Sequence, residues 1–348
     1  MPPLRLGILD QIPVRRGQDP AESIRETIEL AALADQLGYH RYWLAEHHAT
    51  AALACTCPEV LLPLLGARTS GIRIGAGGIM LPHYSPLKVA ECFRTLELLY
   101  PGRVDLGLGR APGSDPLTAA ALAYGTRRGV DLYPQQVIDL LTLLGGPLGP
   151  DHPFRGVSAH PPSPTRPEVW LLGSSLDSAA LAAELGCAYS HATFIEPATT
   201  AKALALYRQR FRGGEIAEPR SSAAVSAVCA PTDEEAERLA LSRALWWILI
   251  LRGQAGPIPS VEEALAFPYT DGELELRDRL MRRAFVGSPQ RVRARIEDFV
   301  AEHHLDEVIL LTITHDPDAR RRSYELVAAE FGLAEARREC GSASSGRG

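Results

Sequence analysis

The stretch Ile72-Arg-Ile-Gly-Ala-Gly-Gly-Ile79 reads as a buried strand, Ser85-Pro86 opens the amphipathic segment after it, and Val104-Asp-Leu-Gly-Leu108 reads as the next strand. Two near-continuous apolar runs joined by a capped helix make the strand–helix–strand unit of a parallel sheet covered on both faces. The alternation extends in both directions. Further strand-like runs occur at Leu4–Leu9, Arg41–Ala45, Glu168–Leu172, Ala188–Thr193, Ser222–Ala230 and Glu307–Thr314, giving eight in all. Eight such units predict an α/β fold, a (β/α)8 TIM barrel, over a doubly wound open sheet.

Helix starts are marked where such units require them. Asp19-Pro20-x-Glu22 supplies an N-cap, a proline at the first helical position and an acid two residues on, and Gly38 can close the helix. Ser288-Pro289 repeats the cap-then-proline device, and Thr232-x-x-Glu235 has the spacing of a capping box. Irregular segments near 110–129, 145–167 and 253–284 read as insertions in a single barrel domain spanning 1–332, and those after the fourth and seventh strands are candidate lids. The small polar end, 333–348, reads as a disordered tail.

Composition narrows the function classes. The 348 residues are 46% hydrophobic and 22% charged, an ordinary globular profile. A net charge of −6 argues against a broad nucleic-acid surface. Of the 36 basic residues only Lys88 and Lys202 are lysines, which reads as genomic base composition rather than function. The six cysteines are scattered, apart from Cys55 and Cys57, with no second pair to complete a zinc site, so no metal is expected. The N-terminus lacks an apolar signal core, and the longest apolar run, Ala244–Leu251, is far short of a membrane span, so a cytoplasmic protein is expected. Trp246-Trp247 in that run reads as core or subunit packing. Arg282-Arg283 and Arg320-Arg321-Arg322 read as solvated helix faces.

In a parallel barrel the reactive groups lie just past the C-terminal strand ends. Those ends carry, in order, Asp10-Gln11; Glu46-His47-His48; Gly77-Gly78 with Met80, His83 and Tyr84; Gly109-Arg110; Gly173-Ser174-Ser175; and Ser190-His191. Glu46-His47-His48 has the titratable groups for acid–base work near neutral pH, or is a pair of histidines making ordinary hydrogen bonds. Gly77-Gly78 admits either a flat ligand or a strand bulge. Arg110 with Ser174 and Ser175 makes a phosphate site, or the serines simply cap a helix. There is no Walker loop, no Gly-x-Ser-x-Gly elbow and no good dinucleotide fingerprint.

Leu44-Ala-Glu-His-His48, Ile74-Gly-Ala-Gly-Gly-Ile-Met-Leu-Pro82, Pro101-Gly-Arg-Val-Asp-Leu-Gly-Leu-Gly-Arg110, Leu172-Gly-Ser-Ser-Leu-Asp-Ser178 and Val286-Gly-Ser-Pro289 stand in one order and spacing. In these motifs, from about residue 4 to 332, the chain resembles the bacterial luciferase-like monooxygenases. The resemblance implies a barrel binding FMN as FMNH2, delivered by a separate flavin reductase, with one atom of oxygen entering a small organic substrate. It implies a cis Gly77–Gly78 peptide under the flavin ring, and Arg110, Ser174 and Ser175 at the phosphate. It implies Glu46 and His47 as the acid–histidine pair, with His47 the acid/base and His48 lining the same pocket. Met80 and His191 would border the cofactor, and Asp10, His83 and Tyr84 the substrate. A homodimer is implied as well. Bacterial luciferase itself has a cysteine where Gly109 stands and a different small pair at Gly77-Gly78, which points away from light emission. The chain looks closer to the single-gene actinobacterial branch, which includes tailoring oxygenases of aromatic polyketides. A sister branch uses the deazaflavin F420 for hydride transfer, and a barrel that binds flavin without catalysis is a third reading.

Overall fold

The computed structural model describes residues 4–110, 115–124 and 130–336. Its strands are β1 (Arg5–Asp10), β2 (Arg41–Leu44), β3 (Arg73–Met80), β4 (Val104–Gly109), β5 (Glu168–Gly173), β6 (Ala188–Ala192), β7 (Ser221–Cys229), β8 (Phe285–Gly287) and β9 (Glu307–Leu311). Eight of them close a parallel ring in the order β1-β2-β3-β4-β5-β6-β7-β9, and β9 returns to β1. The predicted barrel is present, and each predicted strand forms within a few residues of its predicted bounds. The sequence reading missed β8, a three-residue strand that pairs with the far end of β7.

Side chains alternate across each strand, and the two sets meet different partners. Leu6 and Ile8, Tyr42 and Leu44, Ile74 and Ala76, Leu106 and Leu108 face outward into the main core beneath the helices. The opposite set fills the lumen. There Leu9, Trp43, Trp170, Ala224 and Ile309 form one cluster, and Trp43 meets Trp170 edge to face with ring centroids 5.4 Å apart. Below them, at the strand starts, Arg41 places Nη1 2.6 Å from Asp105, Nε 2.8 Å from Glu307 and Nη2 3.5 Å from Glu168. Its guanidinium also lies 4.6 Å from the Trp170 ring centre. The floor of the barrel is therefore ionic and its middle aromatic.

Helix signals translate directly. Asp19 accepts a hydrogen bond from the Ala21 amide, Pro20 begins the helix Pro20–Leu37, and Gly38 ends it in the left-handed region at φ 90°. A Cβ on Gly38 would also lie 2.6 Å from the Leu333 carbonyl oxygen, so this turn admits glycine alone on two counts.

The segment 145–167 runs from a helix end to the start of β5, away from the strand C-termini, and Arg94 holds it there, donating to the carbonyls of Leu143, Leu144 and Ala159. Two expectations need correction. Residues 333–336 are helical and Leu333 is buried, so the core extends past the expected end of the domain; 337–348 lie outside the described residues. Arg320 is no solvated residue. It is buried and bonded to Asp10, because Asp10 in the barrel wall demands a counter-charge, whereas Arg321 and Arg322 are exposed as expected. Of the insertion 110–129, the described part contains the exposed helix Pro116–Ala123, and the rest of that expected lid lies outside the described residues. The insertion 253–284 forms two helices, Val261–Ala266 and Asp271–Arg283, and Ile258 exchanges backbone hydrogen bonds with Val14 and Arg16 beyond β1.

Candidate active site

Strand register fixes which residues share the rim of the mouth. Met80 pairs with Gly109, Gly109 with Leu172, and Gly173 with His191. Glu46, just past β2, joins the same level because the Met80 amide donates to its Oε2 at 2.9 Å. Five adjoining strands thus bring Glu46, Met80, Arg110, Ser174 and His191 into one arc.

Glu46 is fully buried and is the hub of one end of this arc. Its Oε1 accepts from the Tyr84 hydroxyl at 2.6 Å and lies 2.6 Å from His48 Nε2. The His83 ring stands edge-on to both the His48 and Tyr84 rings, with centroids 6.0 and 6.4 Å away. Burial, then the neighbouring Glu46 carboxylate, push the Tyr84 hydroxyl above its usual pKa, so it stays protonated and donating. The partner of Glu46 is therefore His48 and not His47. Residues two apart point the same way in an extended segment, and His47 points elsewhere. The His47 amide donates to the Cys55 carbonyl, and its Nδ1 lies 3.4 Å from the Ala45 carbonyl oxygen. Burial holds its imidazole below the usual histidine pKa, hence neutral.

Gly77 and Gly78 are joined by a cis peptide, and the β3–β4 register shifts between Ala76 and Ile79. The bulge reading is thus present in the backbone. A Cβ on Gly77 would come 2.8 Å from the Trp43 side chain, and one on Gly78 would come 2.5 Å from the Gly107 carbonyl oxygen. Wall packing alone accounts for both glycines. At Gly109 a Cβ would lie 3.2 Å from Met80 Sδ.

At the other end of the arc, Ser175 caps the helix Leu176–Leu185 and accepts from the Ser178 amide. The half-exposed Arg110 guanidinium reaches Asp177 in the first turn of that helix, at 3.6 Å. An arginine, two serines and a helix N-terminus are thus assembled, the chemistry of an anion site. The capping reading of Ser175 holds as well.

Two residues do not sit where a ligand could meet them. Asp10 is fully buried, and its oxygens accept from the Ile12 amide, Thr27, Tyr42 and Arg320. Burial raises its pKa, but Arg320 and these donors outweigh that and hold it below the usual value. It is a structural carboxylate, not a substrate contact. His191 is also fully buried, with Nδ1 3.0 Å from Thr193 Oγ1 and Nε2 3.2 Å from Thr199 Oγ1. Thr199 in turn donates to the Ser174 carbonyl, so His191 braces the serine turn from behind. Burial brings its pKa down to about 4. Among the described residues no helix is long and apolar enough to cross a membrane, and no group of three or more His, Cys, Asp or Glu converges as a metal would need. Trp246 is core, packed with Leu53, Ile258 and Leu311.

Sequence reasoning passed over one residue with functional character. Arg243 is buried in the helix Asp233–Leu251 and lines a cavity beside the rim. A lone arginine in the apolar run Leu241–Leu251 was the available signal.

The luciferase-like monooxygenase family matches the chain over residues 4–306. A luciferase-like monooxygenase of Escherichia coli (strain K12) is 35% identical over 324 residues, covering 93% of this chain and 96% of that protein. The protein YceB of Bacillus subtilis (strain 168) is 41% identical over 329 residues, covering 94% and 99%. The crystal structure of apo-MsnO8 superposes with a TM-score of 0.87 at 39% identity, covering 95% of this chain and 99% of that one.

Proposed function

The chain belongs to the luciferase-like monooxygenase family, and from that premise we propose that it is the oxygenating component of a two-component flavin system. In this reading it accepts FMNH2 from a separate flavin reductase and inserts one atom of O2 into a small organic substrate, an aromatic polyketide or another secondary metabolite. The observation that carries it is the arc itself: an acid–histidine–tyrosine cluster at one end and an anion site at the other, joined by the glycine-lined rim of β3 and β4.

The residues fit such a cofactor. Arg110, Ser174 and Ser175 would hold the phosphate at the start of the helix Leu176–Leu185. Gly77, Gly78 and Met80 would border the ring, with His191 fixing the serine turn. Reduced FMN, when bound, supplies the electrons that activate oxygen. The chain's part is proton management and shielding from water. His47 is kept neutral by burial, and with Nδ1–H directed at the Ala45 carbonyl its Nε2 is an acceptor, as a general base requires. Glu46, His48 and Tyr84 form the adjoining hydrogen-bonded set that can hold a proton at Glu46 Oε1. His83 and Tyr84 would face the substrate. A homodimer is part of the proposal; the adjoining helices Pro58–Arg68 and Pro86–Leu99 leave Val60, Leu64, Leu98 and Leu99 exposed.

The test is incubation of a candidate substrate with the protein, FMN, a generic reductase and 18O-labelled oxygen. Incorporation of one labelled atom is expected. Tight F420 binding with no oxygen consumption would replace this reading with hydride transfer by the deazaflavin. Sedimentation analysis tests the dimer.

A further inference from the structure

We propose that the cavity at the β6–β7 edge of the mouth is a carboxylate-binding subsite whose cation is Arg243. The proposal rests on the monooxygenase reading only in assigning the carboxylate to a substrate. The cavity has a volume of about 90 Å³, several times what one water needs, and its walls include Thr193, Ser226, Arg243, Trp247 and Arg283. None of its lining residues is an aspartate or glutamate.

Three donors in this wall are buried and have no hydrogen-bond partner among the described residues: Arg243 Nε, Ser226 Oγ and Trp247 Nε1. Such groups are rare in folded proteins, and three of them on residues that line one cavity point to an acceptor there. Arg243 is 8% exposed, with no ion pair among the described residues. Burial brings its pKa down to about 10, so it remains charged at neutral pH. A buried charge without a counter-ion is costly, and an anion in the cavity removes that cost. One buried guanidinium matches a single negative charge, and its planar fork matches a carboxylate in two-point contact. Arg283 adds only an exposed, screened charge at the edge.

The position suits a substrate. Thr193 in the cavity wall is hydrogen-bonded to His191, the last member of the rim arc. Phe194 in the same wall packs against the lumen cluster that contains Leu9 and Trp43. Ser226 pairs with Leu311 at the mouth end of β9. A substrate held by a carboxylate here extends toward the arc with its reactive part free.

The test is an NMR titration of the flavin-free protein, 15N-labelled at its tryptophan indoles, with propionate, propionamide and inorganic phosphate at matched ionic strength. Propionate is expected to shift the Trp247 indole resonance, assigned through Trp247→Phe, in a saturable way, with little response to the amide or to phosphate. Arg243→Met is expected to weaken propionate binding about tenfold or more, and Arg243→Lys by less. Equal binding of propionamide, tighter binding of phosphate, or unchanged affinity in Arg243→Met would overturn the proposal. Should Arg243→Met not fold, Ser226→Ala decides: weaker propionate binding supports the subsite and unchanged binding overturns it. The titration needs neither flavin nor oxygen. Saturable binding beside a failed oxygen-incorporation assay removes the enzyme reading and leaves the anion site, and the converse result removes the site alone.

Discussion

Arg41 and Arg243 are both buried arginines, at opposite ends of the same barrel. Arg41, at the floor, has three carboxylates within 3.5 Å and lies over an aromatic ring. Arg243, beside the mouth, has no carboxylate partner among the described residues and faces a cavity with unpaired donors. A charge compensated inside the fold belongs to stability, and one left uncompensated at a rim belongs to a ligand. The same division runs through other pairs. Asp10 and Arg320 are locked together in the wall, while Arg110 has, among the described residues, a loose ion pair with an exposed aspartate.

The largest effect should come from the floor. Arg41→Met leaves the buried Glu307 without its guanidinium partner and Asp105 with Arg73 and Trp43 alone, and should cost about 3–5 kcal/mol of unfolding free energy, read from the urea midpoint. Arg243→Met removes a charge that nothing balances and should leave the midpoint unchanged or raised. Equal losses in the two variants would break the comparison.

On the mouth side, the proposed role of the Glu46 carboxylate in proton transfer predicts that Glu46→Gln lowers product formation by roughly 10²–10³-fold with little change in Tm. His47→Ala should fall in the same range, and unchanged turnover would strip His47 of its role. Arg110→Ala should weaken FMNH2 binding by about 10–100-fold, the loss of a charge-assisted contact, again at near-constant stability. Fluorescence titration under anaerobic conditions measures it.

The brace behind the rim has its own signature. The pKa of His191, about 4 when folded, lies below the ordinary value near 6.5. Above about pH 6.5 both folded and unfolded states carry the neutral ring. As pH falls from there toward 4, the unfolded chain takes up the proton first, so stability declines. His40, brought down to about 3 by burial and then nearby arginines, acts in the same direction. His191→Asn should flatten that acid limb, and an unaltered slope of Tm against pH would place His191 outside it. The smallest effect belongs to Asp177→Asn, which frees Arg110 from an exposed pair and should tighten FMNH2 binding by threefold or less, vanishing at high salt.

Much of the frame was readable in the sequence because burial on both strand faces produces apolar runs, and caps mark helix starts. The eight barrel strands and the helix at Asp19–Gly38 followed from those signals. β8 did not, since three residues carry no pattern. The rim residues Glu46, Met80, Arg110 and Ser174 were found by their place after strands, yet their partners were not. Whether Glu46 meets His47 or His48 depends on the path of an irregular segment, and the saturation of Asp10 depends on Arg320, 310 positions away. Arg243 escaped notice because a single arginine in an apolar helix looks the same whether it meets a carboxylate or a cavity.

The forked end of β7 carries a further consequence. Its residues 222–226 pair with β9 and its residues 227–229 with β8. Arg243 and Trp247 lie on the helix that follows β7, while Leu280, Arg283 and Ala284, across the chamber, directly precede β8. Both walls are thus moored to one strand, and the chain between them has a second mooring at Ile258, which bonds to Val14 and Arg16 beyond β1. Length changes confined to 266–270, past that mooring, are expected to shift the wall at Leu280, Arg283 and Ala284 while leaving the ring intact. Libraries aimed at the proposed subsite should diversify that short stretch first.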